Sequence, residues 1–158
     1  LAEAEVLSEH LNVNIIATDF TLEHGAVEVY LAGCNRRCPG CHNPETWDFN
    51  QGDEWRYQVE HRCLMHRLKT PLTNKIWIMG GEPLDQDLKE LEALLDFCAG
   101  AERPIWLWTS YELDDVPDSI LVRVNVVKTG RYLQDVPGYK DEKTGIFLAS
   151  GNQRFTWV

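Results

Sequence analysis

Two hydrophobic periods alternate along the chain, and their order predicts its elements. "VNIIATDF" (13–20) and "AVEVYLAG" (26–33) are β-branched or alternating runs ended by turn residues, which predicts two strands. From Asp53 to Lys69 the period lengthens: Val59, Cys63, Leu64 and Leu68 fall at helical spacing, with Asp53 placed to cap the first turn. "KIWIMGG" (75–81) is a short apolar run ending in glycines and reads as a buried strand. In "DQDLKELEALLDFCAG" (85–100), Leu88, Leu91, Leu94, Leu95 and Cys98 share one helical face, with Gly100 at the C-cap position. "PIWLWTS" (104–110), "LVRVNVV" (121–127) and "GIFLAS" (145–150) are strand-like again.

Nearly continuous apolar strands separated by helices predict an α/β fold, with about five to six mostly parallel strands covered by helices. No repeat, low-complexity tract or Pro/Gly/Ser-rich linker divides the chain, so residues 1–158 read as a single domain with 1–11 as an N-terminal extension. Ligands of such sheets collect at the C-terminal ends of the strands. A cysteine-bearing loop follows one strand, Gly80-Gly81 a second and Thr109-Ser110 a third, so all three are expected to face one site.

Composition narrows the setting. A chain of 158 residues buries a core without disulfide staples, and five cysteines are an odd number. Residues 1–11 carry three glutamates and no cationic start, unlike a secretory signal, so a reducing cytoplasm is expected. The formal net charge of -10 argues against a nucleic-acid partner, because phosphate binding rests on Lys and Arg. No apolar run approaches membrane-spanning length, so no membrane association is expected.

The candidate chemistry lies in "GCNRRCPGCHNPETWDFNQG" (33–52). Cys34, Cys38 and Cys41 are spaced C-x3-C-x2-C, and Pro39-Gly40 forces a tight turn between them. Structural zinc takes four protein ligands, usually as two separated pairs, and there is no second pair here. A cubane iron-sulfur cluster held by three thiolates leaves one iron open for an outside ligand. An open cluster, a zinc site and a redox or disulfide pair all stand as readings of the spacing. Cys63 and Cys98 fall at helical core positions and read as small buried hydrophobes.

"MGGEPL" (79–84) lacks the glycine spacing and the Lys-Ser/Thr of a phosphate loop. Gly80 and Gly81 allow close approach of a ligand to main-chain carbonyls, Glu82 adds an acceptor, and Pro83 fixes the exit, a set suited to an ammonium group.

"CNRRCPGC" followed by "GGEP" resembles the radical S-adenosylmethionine (SAM) superfamily. The longer string "CHNPETWDFNQG", with "IWLWTSY" and the late "GNQR", resembles the activating enzymes of anaerobic ribonucleotide reductase. The resemblance runs from about Gly33 to Arg154 and implies a partial (βα) barrel of the radical SAM type, with 33–52 as the cluster-binding loop. It further implies that Cys34, Cys38 and Cys41 ligate a [4Fe-4S] cluster whose open iron is chelated by the methionine part of SAM. Gly80, Gly81, Glu82 and Pro83 would hold the methionine ammonium, Thr109 would contact the methionine or ribose, and His42 and Asn43 would lie beside the cluster and nucleoside.

The implied activity is reductive cleavage of SAM and formation of a glycyl radical on the large subunit of an anaerobic ribonucleotide reductase. A low-potential electron donor such as flavodoxin or ferredoxin is implied as a second partner. A radical SAM enzyme acting on another glycyl-radical enzyme or a small heterocycle, and a non-catalytic iron-sulfur or zinc module, are the alternatives. Thr109 and Asn43 also read as ordinary turn residues, His42 as a capping group, and Trp47, Trp106 and Trp108 as packing. Two segments depart from the family pattern where ligand or partner contacts are expected: "LEHGA" (22–26) replaces an Asn-Gly-x-Gly turn, and Thr129 in "VVKTGRY" replaces an Asp. Lys128 is then placed to pair with the ligand carboxylate, or else is a solvent-facing strand-end lysine.

Overall fold

A computed structural model describes residues 12–158, so the expected extension over 1–11 lies outside the described residues. In chain order the strands are β1 (Asn14–Thr21), β2 (Ala26–Leu31), β3 (Asp53–Glu54), β4 (Lys75–Gly80), β5 (Ile105–Trp108), β6 (Val126–Thr129), β7 (Tyr139–Lys140), β8 (Phe147–Leu148) and β9 (Arg154–Trp157). The helices are α1 (Trp55–His61), α2 (Leu64–Leu68), α3 (Leu88–Ala99) and α4 (Asp118–Leu121).

Among the described residues, seven strands form one sheet in the order β3-β1-β2-β4-β5-β6-β9, and β7 pairs only with β8. Its centre is parallel: Val27, Ile76 and Ile105 stand in register across β2, β4 and β5, and Trp106 faces Val126 across β5 and β6. Antiparallel strands finish both edges, β1 and β3 on one side and β9 on the other. The protein is therefore mixed α/β with a parallel-centred sheet, and the short edge strands β3 and β9 raise the strand number above the five or six expected.

Successive side chains of a strand point to opposite faces, and here both faces are apolar for different reasons. On one, Val27, Val29, Leu31, Ile76, Ile78, Ile105 and Leu107 pack against Leu64 and Leu68 of α2, Leu91, Leu94, Leu95 and Cys98 of α3, and Ile120 of α4. On the other, Ala26, Trp77, Trp106 and Val126 form a row beneath Ile146, extended by Met79, Trp108 and Phe155. The Trp77 ring lies 6.2 Å from Trp106 and 5.1 Å from Trp108. Trp106 and Trp108 are thus packing residues of this second face. Asp87 caps α3 by accepting from the Glu90 N–H, two residues into the helical stretch expected from residue 85.

Four expectations are corrected. The stretch 53–69 is not one helix capped by Asp53. Asp53 and Glu54 pair with Ile15 and Asn14 as β3, because Gly52, at φ 75°, turns the chain back along β1 with no room for a Cβ against the Ile15 carbonyl. The helix that follows breaks at Cys63, which adopts φ 53° and is exposed, so Cys63 is a junction residue and not a core one; Cys98 is fully buried. In 121–127 the strand begins only at Val126: Leu121 ends α4, and the Asn125 side chain accepts from the Ile105 N–H. Of 145–150, only Phe147 and Leu148 are extended, and they lie outside the main sheet. Among the described residues no helix is long and apolar enough to cross a membrane.

The left-handed backbone at Cys63 is a local cost that glycine avoids. Cys63→Gly is expected to raise stability by about 0.5–1 kcal/mol in urea unfolding, the relieved strain exceeding the added chain entropy. In the folded chain a thiol reagent should modify Cys63 and leave Cys98 intact.

Candidate functional site

Because β2, β4, β5 and β6 run in parallel, the segments that leave their C-terminal ends converge on one edge of the sheet. A cavity opens there. The cysteine loop contributes Cys34, Cys38, Cys41, His42 and Asn43 to its wall; β4 and its exit contribute Gly80, Gly81 and Glu82; Thr109 and Lys128 come from the ends of β5 and β6. Pro83 does not reach the cavity; it is buried and opens the short 3-10 turn Pro83–Asp85.

The cysteine loop is seated by main-chain bonds. Gly33 N–H donates to the Thr46 carbonyl at 2.7 Å and Cys34 N–H to Trp47 at 3.2 Å, while Cys41 N–H closes the Pro39-Gly40 turn on the Cys38 carbonyl at 3.0 Å. Across the next strand end, Gly81 N–H donates to Leu31 at 2.8 Å and Glu82 N–H to Gly33 at 2.7 Å. A Cβ on Gly81 would stand 2.3 Å from the Gly33 carbonyl oxygen, and one on Gly80, at φ 108°, would stand 2.4 Å from Leu31 N. The first requirement for these glycines is thus contact between two strand ends, in addition to any approach of a ligand. The Gln86 amide, which sequence reasoning missed, locks the same seam by donating to the carbonyls of Ala32, Gly33 and Glu82.

All three loop cysteines are free thiols, Cys38 buried and Cys34 and Cys41 half-buried. Burial pushes the Cys34 thiol up, against backbone hydrogen bonds from Arg37 and Arg36 that lower it. No fourth thiol lines the cavity. Among the described residues, no three His, Cys, Asp or Glu side chains are gathered as around a single metal ion. His42 is exposed and lies beside Tyr132, with ring centroids 5.0 Å apart. Asn43 caps with its main chain, whose carbonyl accepts from Thr46 Oγ1 at 2.7 Å.

Glu82 is buried with its carboxylate occupied by the protein. It accepts from Thr109 Oγ1 at 2.7 Å, from Ser110 N–H and Oγ at 2.6 Å each, and from Leu84 N–H at 3.0 Å. Burial pushes its pKa up, and these hydrogen bonds oppose the rise. The carboxylate therefore ties the turn after β4 to the end of β5, and Thr109 is fixed by the same bond.

Lys128 is not a solvent-facing lysine. It lines the cavity, with Nζ donating to the carbonyls of Thr109 and Gly130 at 3.3 Å each. Burial pushes its pKa down to about 8, partly offset by the negative charge of Glu82.

Other residues complete the rim. Arg36 Nε donates to Ser110 Oγ at 3.1 Å, and its guanidinium lies 4.2 Å over the Tyr111 ring. Tyr111 OH in turn donates to Asp85 at 2.5 Å, while Asp85 accepts from Asn35 N–H at 2.7 Å. Their legible signal was position alone, since each stands just beyond a predicted parallel strand or inside the cysteine spacing. Of the two departures, "LEHGA" forms the turn between β1 and β2, where Gly25 accepts from Asn74 at the start of β4, so it sits at the sheet end away from the cavity. Thr129 is buried at the end of β6, outside the cavity lining.

Comparison with known proteins gives the chain its family. Residues 25–156 match the family model of the 4Fe-4S single cluster domain, which defines the class as iron-sulfur proteins. The anaerobic ribonucleoside-triphosphate reductase-activating protein of Salmonella typhimurium is 31% identical over 134 residues, covering 79% of this chain and 83% of its own. The proteins of that name from Escherichia coli K12, 30% identical over the same shares, and from Enterobacteria phage T4, 29% identical over 81% of each chain, are similar in the same way. The chain belongs to the family of anaerobic ribonucleoside-triphosphate reductase-activating proteins.

Two outcomes follow from the buried charges. Glu82→Gln turns an amide toward four donors and is expected to cost about 2 kcal/mol in chemical unfolding. For Lys128 the native state binds fewer protons than the unfolded chain between about 8 and 10.5, so this group's contribution to stability rises with pH across that window. In the metal-free protein, the unfolding free energy of wild type minus that of Lys128→Met should climb over the same range.

Proposed function

We propose that this protein activates an anaerobic ribonucleotide reductase by reductively cleaving SAM at a [4Fe-4S] cluster held by Cys34, Cys38 and Cys41, leaving a glycyl radical on the reductase large subunit. The observation that carries the reading is the meeting of three free thiols and the Gly80–Glu82 turn on one cavity wall, with no fourth thiol beside them. Three thiolates suit a cubane with one open iron. The names of the relatives supply the reductase as target. On this reading the sheet is a partial (βα) barrel of the radical SAM type within a single cytoplasmic domain, served by a low-potential electron donor such as flavodoxin or ferredoxin.

Bound here, cluster and SAM would supply one-electron reductive cleavage of the sulfonium, the electron coming from the low-potential donor, and with it hydrogen abstraction from the target glycine. The chain's own residues position that chemistry. Main-chain groups of Gly80, Gly81 and Glu82, on the exit that Pro83 stiffens, receive the methionine ammonium, since the Glu82 carboxylate is already engaged by Thr109 and Ser110. The Lys128 ammonium, held on two carbonyls at the cavity wall, receives the carboxylate. Thr109, His42 and Asn43 border the nucleoside, and Met79, Trp47 and Trp108 supply apolar wall that excludes water.

Anaerobic reconstitution should load about four irons and four sulfides per chain, the cubane stoichiometry. Cys34→Ala, Cys38→Ala and Cys41→Ala should each lose the cluster, and Cys63→Ala and Cys98→Ala should keep it. With dithionite and SAM the loaded protein should form 5'-deoxyadenosine, and with the cognate reductase a doublet electron paramagnetic resonance (EPR) signal of a glycyl radical. Full iron in Cys38→Ala would remove the basis of the reading; deoxyadenosine without a radical or complex on the reductase would reassign the substrate.

A further inference from the structure

Behind the cavity wall, Arg131 reaches toward the buried thiol. Its Nε donates to Cys38 Sγ at 3.3 Å, and its Nη2 to the Arg36 carbonyl at 3.0 Å, so one guanidinium bridges the sulfur and the turn that carries it. Among the described residues no carboxylate forms an ion pair with it. Its backbone is held from both sides. Gly130 N–H donates to the Tyr111 carbonyl at 3.1 Å. The Arg131 and Gly130 carbonyls accept from Asn152 Nδ2 at 2.8 Å and Gln153 Nε2 at 3.2 Å. The "GNQR" string thereby acquires a physical role, because Asn152 and Gln153 fix the turn from which Arg131 extends.

We propose that Arg131 is the positioning residue that sets the reduction potential of the cluster through its hydrogen bond to Cys38. The inference rests on the reading that Cys38 is a cluster ligand. Reduction adds negative charge to the cluster, and an N–H donor bearing permanent positive charge at a ligating sulfur favours the more negative state. Burial of Cys38 strengthens the effect, since little solvent screens it. Arg131 does not line the cavity, so its action on SAM chemistry passes through the sulfur.

The test is a potentiometric EPR titration of the full reconstituted chain as wild type, Arg131→Met and Arg131→Lys, with iron content and far-ultraviolet circular dichroism measured in parallel. The Met variant should keep the wild-type iron content and shift the midpoint to more negative potential. The Lys variant, which keeps the charge but cannot bridge both acceptors, should shift less in the same direction. Equal midpoints at full iron would overturn the proposal. Loss of iron from both variants with unchanged dichroism would overturn it too, leaving Arg131 a clamp of the loop. A wild type that loads no cubane, or a Cys38→Ala variant that keeps one, would instead sink the ligand reading and the inference built on it.

Discussion

The carbonyl of Gly33 is the hinge pin of the site. It accepts the N–H of Glu82 and a donor of Gln86, and it lies so close to Gly81 that no side chain fits between them. Through it the end of β2, which launches the cysteine loop, is fastened to the end of β4, which launches the Gly80–Glu82 turn. The next link is Glu82 itself, whose carboxylate reaches on to Thr109 and Ser110 beyond β5. Three strand exits are thus chained by one peptide contact and one carboxylate, and the cavity is the space they enclose. The parallel register of β2, β4 and β5 makes the chain of contacts possible, because only parallel neighbours bring consecutive exits to the same edge.

Charge is distributed against the average. The chain carries a net charge of -10, yet Arg36, Lys128 and Arg131 gather around the cysteine loop and its neighbouring exits. Each is anchored by hydrogen bonds to main chain, hydroxyl or sulfur, so their charge is held in place. Fixed cations beside these cysteines suit the cluster proposed above, which gains negative charge on reduction. Glu82 balances them from inside, at an energetic cost that its four donors offset only in part.

Much of this was legible in the chain. The apolar runs of β1, β2, β4 and β5 and the face of α3 were clear because period and burial agree there, and strand order then brought the three candidate segments together. The errors arose where a local pattern met a tertiary contact. Asp53 has the chemistry of a helix cap, but Gly52 steers it into pairing with Ile15. Cys63 falls on an apolar period that a left-handed junction interrupts. Lys128 was no error but an open choice, and the carbonyls of Thr109 and Gly130 with the cavity lining decide it for the inward position. Gln86 and Arg131 were invisible for a simpler reason: Ala32 and Gly33 lie more than fifty residues from the first, and Cys38 and Arg36 more than ninety from the second.

That separation governs biosynthesis as well. The loop bearing Cys34, Cys38 and Cys41 leaves the ribosome well before Arg131, which pins it, and before Asn152 and Gln153, which hold the turn carrying Arg131. A nascent chain therefore carries three thiols before it has the scaffold that seats them, since Gln86, Glu82 and Ser110 must first arrive to close the seam. Domains fold largely as units, so the seat is completed only when the C-terminal strand β9 docks beside β6. A ribosome stalled short of residue 150 would hold a cysteine loop that lacks this seat, its thiols open to oxygen and stray metal ions.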